Sequence, residues 1–400
     1  MTFEMQSETR AVKDTAIDIS WKENFSAWMN AEECSSVYGR SSYLEALISG
    51  SGRGGRFLFP HIDLQGRCLA HGCFQELILY REDLDEMGRL FSSDSSLMLR
   101  IESLFKMLVH IGNGKKGIRI LIAGNSQVSG PLGLFFTPEV DHITQAECWK
   151  QVLENAEQQW GPFAIILAKE FGNEQQASTI KKMKAAGFKS VSSLPVMMMQ
   201  IEPSWNSFED YLLAMSAKYR IRAKAARKKG AKVSSSSWGT IEIREHLDQI
   251  ENLYLNVYSR ARFRLMRIDP VYFLNLKHNL GDRFKFEAYH TNAQLIGFRT
   301  SIDNGKSLDA HLIGLDYEAN KEHSLYINML YDYVEHAIAN NFSSIDFGRT
   351  AMEIKSTVGA VPVDFTPLVK IRNPLLNGLT CVLMENTASA SWIQRHPFKD

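Results

Sequence analysis

Asp309 and His311 lie two residues apart in a stretch that reads as a strand over 308–313. Period-two alternation puts Asp309, His311 and Ile313 on one face of that strand, with Leu308, Ala310 and Leu312 on the other. A carboxylate on the same face is suited to hold one imidazole tautomer and tune the ring to titrate near neutrality. His311 is therefore the leading candidate for a general base. The plain alternative is a histidine hydrogen-bonded inside the sheet. Further on, Gly348 follows a strand over 344–347 and permits a turn that other residues resist, so Arg349 can be aimed into a cleft. A guanidinium fork suits a phosphate or carboxylate, and Lys355 supplies a point charge. Set against this, Arg349 braces the turn by pairing with Asp346 or Glu353. Glu353 is a second candidate base, with a helix-surface carboxylate as its plain reading.

A third chemical signal is charge density. Lys218, Arg220, Arg222, Lys224, Arg227, Lys228, Lys229 and Lys232 crowd 15 residues that hold no acid. On a helix they wrap more than one face, so Lys218, Arg222 and Lys228 are read as lining an anion-binding groove. Arg260, Arg262, Arg264 and Arg267 form a second cluster beside the same groove. Solvated helix faces are the alternative. The only interleaved aromatic is Tyr219, which weakens a single-stranded nucleic-acid reading.

The elements that must position these groups fall into two similar series. In the first half, strands over 16–21, 57–63 and 67–77 accompany helices around 25–33, 42–48 and 97–111. A strand over 118–123 is followed by helix 144–160, strand 163–168, helix 175–186 and strand 194–201. In the second half, helix 208–229 leads to a strand over 239–244 and helices over 247–259 and 270–279. Hairpin strands over 284–290, 294–302 and 307–315 follow, the last two joined by the Asp303-Asn304-Gly305 turn signal. Helix 324–340 then leads to strand 344–347. Each half thus runs helices, antiparallel meander, helix–strand crossover. The expected fold is α/β in an α+β layered form: two tandem units, 1–202 and 203–400, each a mostly antiparallel sheet with helices on both faces. No G-x-G-x-x-G joins a strand to a helix, which argues against a dinucleotide fold. The segments 124–126 and 129–133 suit a degenerate cofactor loop, although such Gly, Pro and Ser clusters mostly mark plain loops, and 196–199 reads as core.

Bulk properties narrow the function. Lysine plus arginine and aspartate plus glutamate both number 45, so the chain has no general affinity for polyanions or membranes, and any basic patch must be local. Five scattered cysteines with no C-x-x-C pair suggest neither a disulfide framework nor a zinc site, so no metal is expected. No secretory leader and no apolar run of about 20 residues is visible, so the expected compartment is the cytoplasm.

Residues 295–362 carry a resemblance. The segment Ser344-Ile345-Asp346-Phe347-Gly348-Arg349-Thr350, followed by Lys355 and Gly359, is similar to the C-terminal GNAT-like domain of the Fem-type peptidoglycan aminoacyltransferases. There a strand ends in G-R-[ST], followed by a lysine and a glycine; the similarity spans roughly 205–365. It implies a tandem GNAT acyltransferase with its chemistry in the C-terminal unit and Gly348, Arg349, Thr350 and Lys355 at the donor or substrate. The implied co-substrate is acyl-CoA, the acceptor a small-molecule or precursor amine, and the setting cell-envelope or lipid biosynthesis. Aminoacyl-tRNA is the alternative donor, and a non-catalytic binder of a cell-wall or lipid intermediate is the rival class. By the same analogy a donor lies where two strands splay beside 309–315. Its phosphates then meet Lys321, His323 and Ser324, and Tyr326 stands beside the donor. The long helical hairpin of tRNA-dependent Fem proteins has no counterpart here. The GNAT pyrophosphate motif is also absent, with 317–323 in its place.

Overall fold

The computed structural model describes residues 17–22, 34–50, 55–80, 117–172, 176–260, 267–378 and 392–399. The helices expected around 25–33 and 97–111, Arg262, Arg264 and Cys381 lie outside these residues.

The first half contributes β1 (Asp18–Lys22), β2 (Gly55–Leu64), β3 (Arg67–Gly72), β4 (Phe74–Leu79), β5 (Ile118–Ala123), β6 (Leu134–Phe136), β7 (Ile165–Gly172) and β8 (Lys189–Ser190). Its helices are α1 (Ser41–Gly50), α2 (His142–Trp160) and α3 (Ala177–Ala185). Next come β9 (Val196–Gln200), α4 (Phe208–Ala214), α5 (Ala217–Lys229), β10 (Ser234–Ser237), α6 (Thr240–Glu245), α7 (Leu247–Tyr258) and α8 (Val271–Leu280). The meander is β11 (Phe284–Thr291), β12 (Gln294–Asn304) and β13 (Ser307–Leu315). Then follow α9 (Tyr317–His323), α10 (Leu325–Ala339), β14 (Ser344–Asp346), α11 (Met352–Ser356), β15 (Val361–Val363) and β16 (Phe365–Ile371).

Two sheets result. The first runs β6-β3-β2-β4-β5-β7-β16-β8, with β1 on β2; the second runs β10-β11-β12-β13-β14-β9-β15. Strand β9 lies in the second sheet although it precedes residue 203, and β16 returns to the first although it follows it. Each sheet has one parallel pair, β5 with β7 and β13 with β14, bridged by a long helix. Helix α2 starts where Asp141 accepts the amides of Ile143 and Thr144 at 2.8 and 3.0 Å. It buries Trp149, Val152, Leu153 and Ala156 against the first sheet. In the second sheet, α7 and α8 cover one face through Phe273, Phe286 and Phe298, and α10 covers the other through Val334, Leu308 and Ile345.

The two units share a core. Tyr43, Leu44 and Leu47 of α1 join Tyr272, Phe273 and Leu276 of α8 in one buried cluster. The approach is close: a Cβ on Gly50 would stand 2.4 Å from Tyr272 Cβ.

Three expectations change. Residues 240–245 are a helix rather than a strand, because the Glu242 carboxylate accepts the Gly239 amide at 2.9 Å and starts a turn. The strand beside it is the all-serine β10, exposed at the sheet edge and without apolar alternation. The helix expected over 208–229 breaks at Met215 and Ser216, where the Ser216 amide donates to Pro397 O at 2.8 Å and Met215 bridges Phe398. Strand 67–77 divides at Cys73, its halves pairing with opposite ends of β2.

Candidate functional site

Strands β13 and β14 pair over three residues only, ending with Asp309 opposite Asp346. Beyond that point β13 runs on to Leu315 with no described strand on that side, so the sheet opens. In the first sheet, β5 and β7 stay paired to Ala123 and Ala168, the former being the last residue of β5. Strand β7 likewise runs on to Gly172 past its pairing with β5, so both parallel pairs part, and the second is marked by two carboxylates at its apex.

The ends of the two parallel pairs meet. Glu170, just past the β5 pairing on β7, lies 3.2 Å from Arg349 Nη2. Lys169 Nζ donates to the carbonyls of Asn125 and Val128 at 2.5 and 2.6 Å, and lies 3.4 Å from Glu170. Burial lowers the Lys169 pKa, opposed by Glu170. The turn after β14 is backbone-constrained: Gly348, Thr350 and Ala351 have φ of 67°, 66° and 47°. Positive φ is free for Gly348 but unfavourable for the other two, so the turn is held by its bonds. Lys355 Nζ provides one, donating to Arg349 O at 2.6 Å.

Electrostatics at the apex favour proton exchange near neutrality. Asp309 is 8% exposed. Burial, and then the neighbouring Asp346 charge, push its pKa up to about 7, against hydrogen bonds from Ser307, Tyr38 and Asn304. Lys355 is 5% exposed, and burial pulls its pKa down to about 7 while Asp346 opposes the shift. Burial also raises Asp346, whose carboxylate accepts the Gly348 amide at 2.6 Å.

A second polar chain crosses between the units. His311 Nε2 lies 3.2 Å from Tyr272 OH, which lies 3.2 Å from Tyr43 OH, and Asn125 Nδ2 donates to Tyr43 OH at 2.8 Å. His311 Nδ1 lies 3.3 Å from Thr300 Oγ1. Burial pulls the His311 pKa down to about 3, so the ring is neutral at working pH and a poor base.

The structure thus gathers Asp309, Gly348, Arg349 and Lys355 and places the other sequence candidates elsewhere. Asp309 does not orient His311; its carboxylate accepts Ser307 Oγ at 2.8 Å and Asn304 Nδ2 at 3.1 Å. A bulge in β13 opposite Thr300 also alters the alternation. Leu312 packs with the α8 core on the His311 side, while Ile313 packs with Leu325 and Met329 of α10. Arg349 pairs with Glu170, not with Asp346 or Glu353; Glu353 lies on α11 and is engaged by Arg395. Thr350 is exposed on the turn.

Lys321 lines an open groove with Asp316, Glu318 and Glu322, surroundings that disfavour a phosphate. Residues 317–323 are a helix capped by Asp316. Ser324 is left-handed with φ 53° and makes no side-chain cap; Asn320 Oδ1 accepts the Tyr326 amide instead, at 2.8 Å. Tyr326 packs between the two clusters that α10 contributes to. On α5, Lys218, Arg222 and Lys228 are exposed, whereas Arg227 is held by Asp332 and Glu335. The end of α5 abuts the start of α10, where Asn328 Nδ2 donates to Ala226 O at 2.9 Å. Arg260 stacks 3.6 Å over Tyr317, and Arg267 pairs with Glu251.

Sequence reasoning missed Tyr38, Lys169 and Glu170, placed Asn125 only in a loop, and weighed Asp346 only as a brace. The available signal was a Lys-Glu pair closing the apolar run 163–168.

No family model matches the chain, and no curated protein matches it by sequence. Solved structures do match in fold. The crystal structure of FemX superposes with a TM-score of 0.53 at 12% identity, over 88% of this chain and 98% of that one. A tandem GNAT protein from the clavulanic acid biosynthesis pathway gives 0.50 at 11%, over 89% and 98%. At such identity the likeness concerns the fold, and it extends over both units. The chain has the Fem-like, tandem GNAT fold.

Proposed function

We propose that the protein is an N-acyltransferase that moves an acyl group from an acyl-CoA-type thioester to an amine. The observation that carries this reading is the parting of β13 from β14 at two carboxylates, the buried Asp309 near pKa 7 and the half-buried Asp346. A base that titrates at the working pH is the one suited to take a proton from an ammonium acceptor. Asp309 is assigned that role in place of His311. The freed amine attacks the thioester carbonyl, the unpaired edge of β13 supplies amides toward the oxyanion, and the thiolate departs. Arg349 Nη2 is buried 3.2 Å from Glu170 without an aligned hydrogen bond, so a substrate carboxylate or phosphate would compete with Glu170 for the guanidinium. Lys355 and Gly348 hold the turn that carries it. Lys228, exposed near the end of α5, is the cation assigned to the donor's phosphates.

Calorimetry with acetyl-CoA and a longer acyl-CoA at moderate salt tests the assignment. Saturable binding that Arg349→Lys weakens supports a CoA donor; no heat from either ligand refutes it. An aminoacyl-tRNA donor is the second reading, favoured by the exposed Lys218, Arg222 and Lys228, none of which has a carboxylate partner among the described residues. Its mark is tRNA binding that falls steeply with salt. Binding of either donor without turnover on any amine supports a recognition protein.

A further inference from the structure

We propose that His61, Asp63 and Cys68 form a binding site for a zinc-type divalent cation on the β2–β3 hairpin. His61 and Asp63 are two apart on β2 and so share a face. Cys68 is the direct cross-strand partner of Asp63. That pairing depends on an irregularity: Ile62 faces Ala70, but the next residue, Asp63, faces Cys68 rather than Leu69. A bulge re-aims side chains in this way. Here it exchanges a leucine for a thiol beside the carboxylate.

The ligand-type atoms of the three residues all lie within 4.8 Å of one another, and His61 Nε2 is 3.1 Å from Asp63 Oδ2. Zinc bonds of about 2.0–2.3 Å to nitrogen, oxygen and sulfur put tetrahedral neighbours roughly 3.2–3.8 Å apart. Small side-chain rotations therefore close the set. The opposite face of the hairpin is committed to the core, with Ile62 fully buried. The three ligands are each partly exposed and have a solvent path. A second observation points the same way: His61 Nδ1 is buried with no hydrogen-bond partner, so the ring is held on its polar side by Asp63, itself one of the three ligands. An imidazole, a carboxylate and a thiol together select zinc over magnesium or calcium, and three protein ligands leave a fourth position for water. The site stands apart from the acyl-transfer residues, so the proposal does not depend on that reading.

The test is titration of the chelator-treated full-length protein with zinc and with cobalt. One equivalent should bind, and cobalt should give a thiolate-to-metal charge-transfer band. Cys68→Ser should abolish the band, while Cys34→Ser keeps it. Asp63→Asn should lower zinc affinity at least tenfold, with circular dichroism confirming the fold of each variant. No band in the parent protein, or a band that survives Cys68→Ser, overturns the proposal. If Cys68→Ser does not fold, unchanged zinc affinity in Asp63→Asn overturns it.

Discussion

Replacing Asp309 by asparagine should change the pH dependence of stability, and the size follows from the site. The carboxyl titrates at about 7 in the folded chain because burial and Asp346 disfavour its charge. In the unfolded chain it titrates at about 3.9. Between those values the folded state keeps a proton that the unfolded state has released, so stability falls as pH rises from 4 to 7 and levels beyond. Three pK units correspond to about 4 kcal/mol. Asparagine does not titrate, so the variant escapes that fall. Its lost bonds to Ser307 and Asn304 cost the same at every pH and cancel when two pH values are compared. Urea unfolding at pH 4.5 and pH 8 is the assay. The variant should gain on the parent by roughly 2–4 kcal/mol between the two conditions. Lys355, lowered to about 7, acts in the opposite sense, with stability rising from pH 7 toward 10. That limb should persist in Asp309→Asn and vanish in Lys355→Met. A difference between parent and Asp309→Asn that does not vary with pH would refute the electrostatic account of the apex.

Gly50→Ala should destabilise the protein by about 1–3 kcal/mol, since the new methyl meets Tyr272 where α1 packs on α8. Thermal denaturation reads this, and an unchanged midpoint would show that packing to be loose. His311→Gln should leave the inflections of the rate–pH profile in place and cost less than about tenfold in kcat/KM, because the ring is already neutral. A lost inflection near neutrality would restore His311 as the base. Reversing Lys218, Arg222 and Lys228 to glutamate together should flatten the log–log salt dependence of tRNA binding by about one unit for each phosphate no longer neutralised. An unchanged slope removes α5 from the interface.

The meander was legible because Asp303-Asn304-Gly305 marks its turn and apolar residues alternate along the first part of β11. Strand β10 was not, because four serines carry no pattern and only its neighbour makes it a strand. At the site, Gly348, Arg349 and Lys355 could be read from one local segment. Their partners Lys169 and Glu170 come from another sheet, and nothing local ties them to Arg349. Asp309 was read as the servant of His311; burial, invisible in sequence, makes Asp309 the titrating group instead. The hairpin triad escaped for a similar reason. H-x-D-x4-C resembles no metal motif along the chain, and one shifted pairing brings the cysteine to the aspartate.

The exchange of β9 and β16 sets the order in which this protein can be made. On the ribosome, residues 17–172 emerge with the outer edge of β7 unpaired, and β8 has no neighbour until β16 arrives. The first sheet stays unfinished until residue 371 has been synthesised, while β9 waits for β14 and β15. Folding is therefore a late event that couples both halves, with long-range pairings that favour slow kinetics. A chain ended at residue 202 should leave β7 with an open edge and tend to aggregate rather than yield a working first half.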